Sequence, residues 1–263
     1  MRFHVPRARP AAALAVFAVL LAGAAPAAAE QYVALGDSYS SGTGTREYFD
    51  SNCQRSTHAY PSIIDRERPN TELVFAACSG ARTGDVLNNQ VSSLTASTAI
   101  VTITIGGNDA GFADVIVECA FPSWASDCNG AIDDAQSYIT STLPGRLDLV
   151  YNQINSRSPS AQVVVLGYPR LFMGVDCNAG TFFSSSEMTR LNQTADLLRD
   201  VTRGRAQAAG FTFADSIPPF IGHAVCSSSE WINGLSNPVG ESYHPNRSGH
   251  SAGYAPLVRA VIG

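Results

Sequence analysis

Five short runs of almost unbroken β-branched and apolar residues frame the whole chain: Tyr32-Val33-Ala34-Leu35, Leu73-Val74-Phe75-Ala76, Ile100-Val101-Thr102-Ile103-Thr104-Ile105, Val163-Val164-Val165-Leu166 and Phe211-Thr212-Phe213. A strand with apolar side chains pointing both ways has no face to offer water, so it must be covered on both sides, as in a parallel sheet between two layers of helices. The segments between the runs carry a helical period. Ile132, Ala135, Ile139, Leu143, Leu147, Val150 and Ile154 recur at spacings of three and four, with Pro144 marking a kink or break because it lacks an N–H and clashes with the preceding turn. Further helices are expected over about 186–209 and around 250–261. Strand alternating with helix predicts an open, doubly wound α/β sheet, whose ligands sit beyond the carboxyl ends of the strands. No linker, internal repeat or low-complexity segment interrupts it.

The first 29 residues fall outside this pattern. Arg2, Arg7 and Arg9 precede an apolar run from Ala11 to Ala24, and small residues follow through Ala25-Pro26-Ala27-Ala28-Ala29. That is the layout of a secretory signal, too short and wrongly flanked for a bilayer span. Residues 30–263 are then expected as a single exported domain, working as a monomer. Its 14 Arg oppose 22 acidic residues, a net charge of −8. A chain that acidic, without a basic cluster, repels phosphate backbones, so nucleic acid is not an expected partner. The sequence has no Lys, which excludes Schiff-base enzymes, Ser-Lys dyads and Walker-type nucleotide sites. All six cysteines follow the leader, and an even count in an exported chain favours disulfides. Sequence leaves every pairing open; local closure favours Cys53–Cys78, Cys119–Cys128 and Cys177–Cys226. There is no C-x-x-C, no His at ligand spacing beside a Cys and no calcium-loop pattern of carboxylates, so neither a metal nor another cofactor is expected. The sequons at Asn192 and Asn246 read as fortuitous short matches.

The unusual residues stand where the strands stop. The first run ends in Gly36-Asp37-Ser38-Tyr39. A Ser directly after a buried strand, at a helix start, exposes its hydroxyl and turns its N–H toward incoming negative charge, although an N-cap Ser looks the same. After the second run, Gly80 follows Cys78-Ser79 and can present its N–H to the same space. The third run ends in Gly106-Gly107-Asn108-Asp109, where two glycines allow a tight turn and the Asn amide can donate across the strand ends, as a plain turn would also permit. Near the end of the chain, Glu241-Ser242-Tyr243-His244-Pro245 places a His before a Pro that restricts its backbone, a good setting for a base. His58, His223 and His250 have no comparable setting, and His250 reads as a packing residue.

Taken together and in this order, the four blocks resemble the pattern of the SGNH hydrolases, also called the GDSL esterase/lipase family. The likeness spans Tyr32 to about Gly249 and is closest to the exported actinobacterial lipases, esterases and phospholipases, which are similar in their six cysteines and in Ala59-Tyr60-Pro61. The resemblance implies a flavodoxin-like three-layer α/β/α sandwich on a five-stranded parallel sheet, and hydrolysis of carboxylic esters through an acyl-enzyme. It implies Ser38 as nucleophile, His244 as general base, and an oxyanion hole built from the N–H groups of Ser38 and Gly80 and the side-chain amide of Asn108. Tyr39 departs from the family name, which has Leu there, and is expected to reshape the acyl side of the site. The family's usual Asp three residues before the His is Glu241 here. The main-chain carbonyl of Ser242 is therefore expected to orient His244, with Glu241 the competing third member. Lipid or another ester is the expected substrate, with transient contact at a lipid interface. Phe49, Phe112, Phe121, Trp124, Phe172 and Phe183 are candidates for an acyl groove, and Arg46 and Arg170 for a phosphate headgroup. A carbohydrate acetylesterase of the same fold and a non-catalytic binding protein are the competing readings.

Overall fold

The computed structural model describes residues 1–4 and 29–263, so the signal expected over 1–29 lies almost wholly outside the described residues. In chain order the elements are β1 (Glu30–Gly36), α1 (Ser38–Ser41), α2 (Tyr60–Glu67), β2 (Thr71–Phe75), α3 (Thr83–Asp85), β3 (Thr98–Thr104), α4 (Phe112–Ala120), α5 (Cys128–Ser141), α6 (Leu143–Arg157), β4 (Gln162–Leu166), α7 (Ser185–Ala208), β5 (Thr212–Ala214), α8 (Ile217–Phe220) and α9 (Ala255–Ile262). The strands form one parallel sheet in the order β2-β1-β3-β4-β5. Val33 stands between Val74 and Val101, and Val101 pairs onward with Val163. This is the flavodoxin-like strand order, which reverses direction between β1 and β3 and opens a crevice there beyond the strand ends.

Two-sided burial accounts for the apolar runs. Tyr32, Val33, Ala34 and Leu35 of β1 are fully buried, as are Val101 and Ile103 of β3 and Val164, Val165 and Leu166 of β4. Each such Val, Leu or Ile is worth about 1.5–3 kcal/mol of transfer free energy. Helices α2 and α9 cover one face; α5, α6 and α7 pack on one another across the other. Pro144 breaks the long helical pattern outright: α5 ends at Ser141 and α6 opens at Leu143, with the proline in its first turn, where no N–H is needed. The last helix differs from expectation at its start, because Gly249–Tyr254 is a π-helical turn that precedes α9.

Gly36 ends β1 at φ 122°, and a Cβ there would collide with the Thr104 carbonyl of β3. Only glycine lets the two backbones run that close while the chain turns into α1. Disulfides join Cys53 to Cys78, Cys119 to Cys128 and Cys177 to Cys226, each closing a loop at or near the strand-end face. Among the described residues, no helix is long and apolar enough to cross a membrane.

Candidate active site

A buried carboxylate organises the crevice. Asp37 caps α1 through Tyr39 N (3.0 Å), accepts from Thr104 Oγ1 (2.7 Å) and takes a short hydrogen bond from the Tyr168 hydroxyl. That hydroxyl in turn accepts from Gly107 N at 3.2 Å. One side chain thereby ties the ends of β1 and β3 to the segment after β4. Burial pushes the Asp37 carboxyl up to about 6, against the pull of these three donors. In the sequence, Asp37 is marked only as a carboxylate immediately before a helix start, which does not single it out.

Ser38, the first residue of α1, is only 6% exposed. Its Oγ lies 2.9 Å from His244 Nε2, and His244 Nδ1 lies 2.8 Å from the Ser242 carbonyl oxygen. A carbonyl can only accept, so the proton sits on Nδ1, Nε2 keeps its lone pair, and the Ser38 hydroxyl donates to it. Burial lowers the imidazole to about 4, while the Ser242 hydrogen bond opposes the shift. The ring is therefore neutral and ready to take a proton at ordinary pH. Gly44, at φ 95°, leaves room for this loop: a Cβ there would lie 2.9 Å from His244 Cβ and 2.8 Å from the Pro245 carbonyl.

Glu241 is buried yet makes no hydrogen bond to the imidazole. Its Oε1 accepts from the Tyr48 hydroxyl at 2.7 Å, and its Oε2 lies 3.6 Å from Arg46 Nε. The carboxylate pins the loop before His244 to the loop after α1.

Donors gather on the other side of Ser38. Asn108 gives one amide hydrogen to the Ala81 carbonyl at 3.0 Å, which fixes the plane of the amide and leaves its second N–H free. Gly80 (φ 79°) sits in a turn held by the Cys53–Cys78 bond, by Ser79 N to Cys53 O and by Ala81 N to Cys78 O. The N–H groups of Ser38 and Gly80 have no acceptor among the described residues. Ser38, Asn108 and His244 line one cavity, whereas Gly80 lies outside its lining. Asp109 holds Thr83 through the N–H (2.9 Å) and the hydroxyl (2.5 Å), bracing the same two loops.

The cavity holds about 360 Å³ and runs from Ser38 between α4 and α7. Phe112, Ala113, Ile116, Val117, Ala120 and Phe121 form one wall, and Ala195, Leu198, Leu235 and Val239 are among the residues opposite, with Tyr39, Tyr168 and Leu171 toward Ser38. Ile116, Ala195 and Leu198 are buried, while Val117, Phe121 and Val239 are more than half exposed, so the apolar lining includes both buried residues and an exposed rim. Of the aromatic candidates, only Phe112 and Phe121 belong to this wall. Phe172 and Phe183 pack beneath Tyr243, Phe49 lies against Phe75, and Trp124 stands in solvent. Their places in or near loops after strands mark all six as candidates but not which of them turn to the cavity. Arg170 is taken by Asp196 and Arg46 lies beside Glu241; neither lines the cavity. Asn192 spends its side chain on the backbone of Leu171 and Phe172, and Asn246 on Glu230 and Gly249. His250 is fully buried and accepts from Tyr60 N, and His223 stacks on Trp231. Among the described residues, the one cluster with metal-ligand spacing, Cys177, Cys226 and Glu230, has its two sulfurs in a disulfide, which offers no thiolate.

Residues 34–252 match the GDSL-like lipase/acylhydrolase family. Lipase 1 of Streptomyces coelicolor is 46% identical over 242 residues, spanning 90% of this chain and 89% of that protein. The crystal structure of an extracellular lipase from Streptomyces rimosus matches with a TM-score of 0.84 at 46% identity, over 89% of this chain and 100% of that one. That of phospholipase A1 from Streptomyces albidoflavus matches with a TM-score of 0.83 at 44% identity, over the same shares of the two chains, 89% and 100%. The four blocks at the strand ends, the strand order and these matches over nearly the full domain agree: the chain belongs to the GDSL-like lipase/acylhydrolase family.

Proposed function

We propose that this ester hydrolase cleaves fatty-acyl esters, of glycerides or of phospholipids at an acyl position, with the acyl chain lying between α4 and α7. The observation that carries the reading is a Ser38–His244–Ser242 relay opening directly onto a long apolar cavity. An acetylesterase needs room for two carbons, and an apolar-lined cavity of about 360 Å³ has no use there. The relatives named lipase and phospholipase A1 support the same substrate class.

In the reaction, Ser38 Oγ attacks the ester carbonyl carbon as His244 Nε2 takes the hydroxyl proton. The carbonyl π electrons move onto oxygen, where the N–H groups of Ser38 and Gly80 and the free amide hydrogen of Asn108 meet the developing charge already oriented. Collapse expels the alcohol, which leaves with the proton held by His244. Water then enters and its oxygen attacks the acyl carbon as the same nitrogen takes its proton; the bond to Ser38 Oγ breaks, His244 returns that proton to Oγ, and the fatty acid leaves. The Ser242 carbonyl keeps Nδ1 protonated throughout and stabilises the imidazolium.

Export is supported by the signal pattern over residues 1–29 and by the relative named as extracellular. The exposed apolar rim of Val117, Phe121 and Val239 supports transient contact with a lipid surface. The acidic charge supports action without nucleic acid, and the reading takes the enzyme as a monomer. A panel of aryl butyrate, aryl palmitate, trioctanoylglycerol and phosphatidylcholine tests the proposal: palmitate and the lipids are hydrolysed at rates comparable with butyrate. Hydrolysis confined to acetyl and butyryl esters would overturn it.

A further inference from the structure

The residue after the nucleophile reaches across the site to the residue before the base. Tyr39 is buried, and its hydroxyl donates to the Tyr243 carbonyl at 2.7 Å across 204 residues of sequence. Its ring lies 5.4 Å from the His244 imidazole and edge-on to Tyr168 at 5.0 Å. Burial raises the Tyr39 phenol well above its ordinary range, so it stays a donor at every working pH.

Tyr243 sits at φ 59°, a left-handed conformation that a bulky side chain adopts only when its surroundings hold it there. That torsion has a chemical consequence. The Ser242–Tyr243 peptide is planar and trans, so its C=O and N–H point in opposite directions. Tyr243 N donates to Asn233 O at 2.9 Å, and the carbonyl on the other side of the same plane accepts from His244 Nδ1 at 2.8 Å. The following peptide is held by Tyr39 at its carbonyl. With both flanking planes held, φ and ψ of Tyr243 cannot relax toward the ordinary region without swinging the Ser242 carbonyl off the imidazole.

We propose that Tyr39 is a positioning residue: its hydroxyl holds Tyr243 in the left-handed conformation that aims the Ser242 carbonyl at His244, coupling the nucleophile turn to the base loop. A leucine at this position would be shorter and have no donor, so the contact to the Tyr243 carbonyl requires the tyrosine. The inference rests on His244 serving Ser38.

Tyr39→Phe keeps the ring and removes only the hydroxyl. With a small soluble ester such as aryl acetate, kcat falls about tenfold or more while KM changes less than twofold, because orientation of the base is lost and the cavity is intact. Combining it with Tyr243→Asn supplies the conformation in another way, since Asn tolerates positive φ; Tyr39→Phe then costs kcat less than threefold relative to Tyr243→Asn alone. A Tyr39→Phe enzyme within twofold of the parent in kcat overturns the proposal, as does a kcat loss of the same size in both backgrounds. Ser38→Ala assayed in parallel separates the two readings: if it retains activity the hydrolytic reading fails, whereas an inactive Ser38→Ala beside an undiminished Tyr39→Phe sinks only the positioning role.

Discussion

Replacing Glu241 by Gln separates a side-chain triad from a main-chain acceptor. In a serine triad, loss of the acid leaves the histidine in the wrong tautomer and costs about ten-thousandfold in turnover. Here the carboxylate accepts from Tyr48 at 2.7 Å and lies 3.6 Å from Arg46, while His244 Nδ1 is satisfied by the Ser242 carbonyl. Gln keeps the oxygen that Tyr48 uses. It gives up an ion pair whose Arg side chain is 60% exposed, worth about 0–1 kcal/mol once water screens it. The carboxylate's own field at His244 is minor, because burial and the Ser242 carbonyl are what shift the imidazole. The expected fall in kcat is under about tenfold, equivalent to about 1.4 kcal/mol. Stability shifts by less than about 1 kcal/mol. The assay is steady-state hydrolysis of a soluble aryl ester at the parent's optimum, with a urea melt to show that the variant is folded. A loss beyond about a thousandfold in a well-folded Glu241→Gln enzyme would make the carboxylate the orienting group and refute the carbonyl arrangement.

Because burial lowers His244 to about 4, the neutral, active ring persists well below its ordinary 6.5. The acid limb of kcat/KM falls with a midpoint near pH 4, and a midpoint at 6.5 or above would contradict this. The same shift, with His250 lowered to about 3, means that the two histidines' contribution to stability is full above pH 6.5 and erodes as pH drops toward these values, while Asp37, raised to about 6, opposes them with a contribution that grows as pH falls through 6; acid melts of His250→Asn beside the parent isolate the histidine share. Ala195 is a buried residue of the cavity wall on α7, so Ala195→Phe should cut palmitate hydrolysis at least tenfold while leaving butyrate within threefold; an equal loss on both esters would show that the chain lies elsewhere. Opening Cys53–Cys78, which closes 25 residues, removes about 3.5 kcal/mol in the chain-entropy picture and frees the turn carrying Gly80. The paired Cys53→Ala, Cys78→Ala enzyme should therefore lose activity well below its melting point, and unchanged kcat there would deny the tether any catalytic value.

The sheet was legible because two-sided burial writes itself into consecutive residues: Val163 to Leu166 reads as a strand without any tertiary information. The same holds for the break before Pro144, which is a local steric effect. The onset of the last helix was not legible, since one extra residue in the turn at Gly249–Tyr254 barely changes an apolar spacing. Ser38 and Asn108 could be proposed from the strand ends because strand-end position is itself a sequence property, and His244 from the Pro that follows it near the end of the chain. Asp37 was passed over because its partners Thr104 and Tyr168 are 67 and 131 residues away. The choice between Glu241 and the Ser242 carbonyl depends on where a side chain turns. That direction is set by Tyr48, 193 residues distant. Tyr39 shows the limit most plainly. Its departure from Leu was visible and was expected to act on the acyl pocket; it lines the cavity, but its hydroxyl goes to the backbone before His244.

The most direct test of Ser38 as the attacking group is covalent. Incubation with a fluorophosphonate ester, followed by intact mass and peptide mapping, should give one adduct per chain, on Ser38, with complete loss of esterase activity. His244→Ala should slow labelling by at least a hundredfold, and Ser38→Ala should take no label and hydrolyse no ester. An adduct on another residue, or ester hydrolysis that survives in a folded Ser38→Ala enzyme, would contradict the account at its centre.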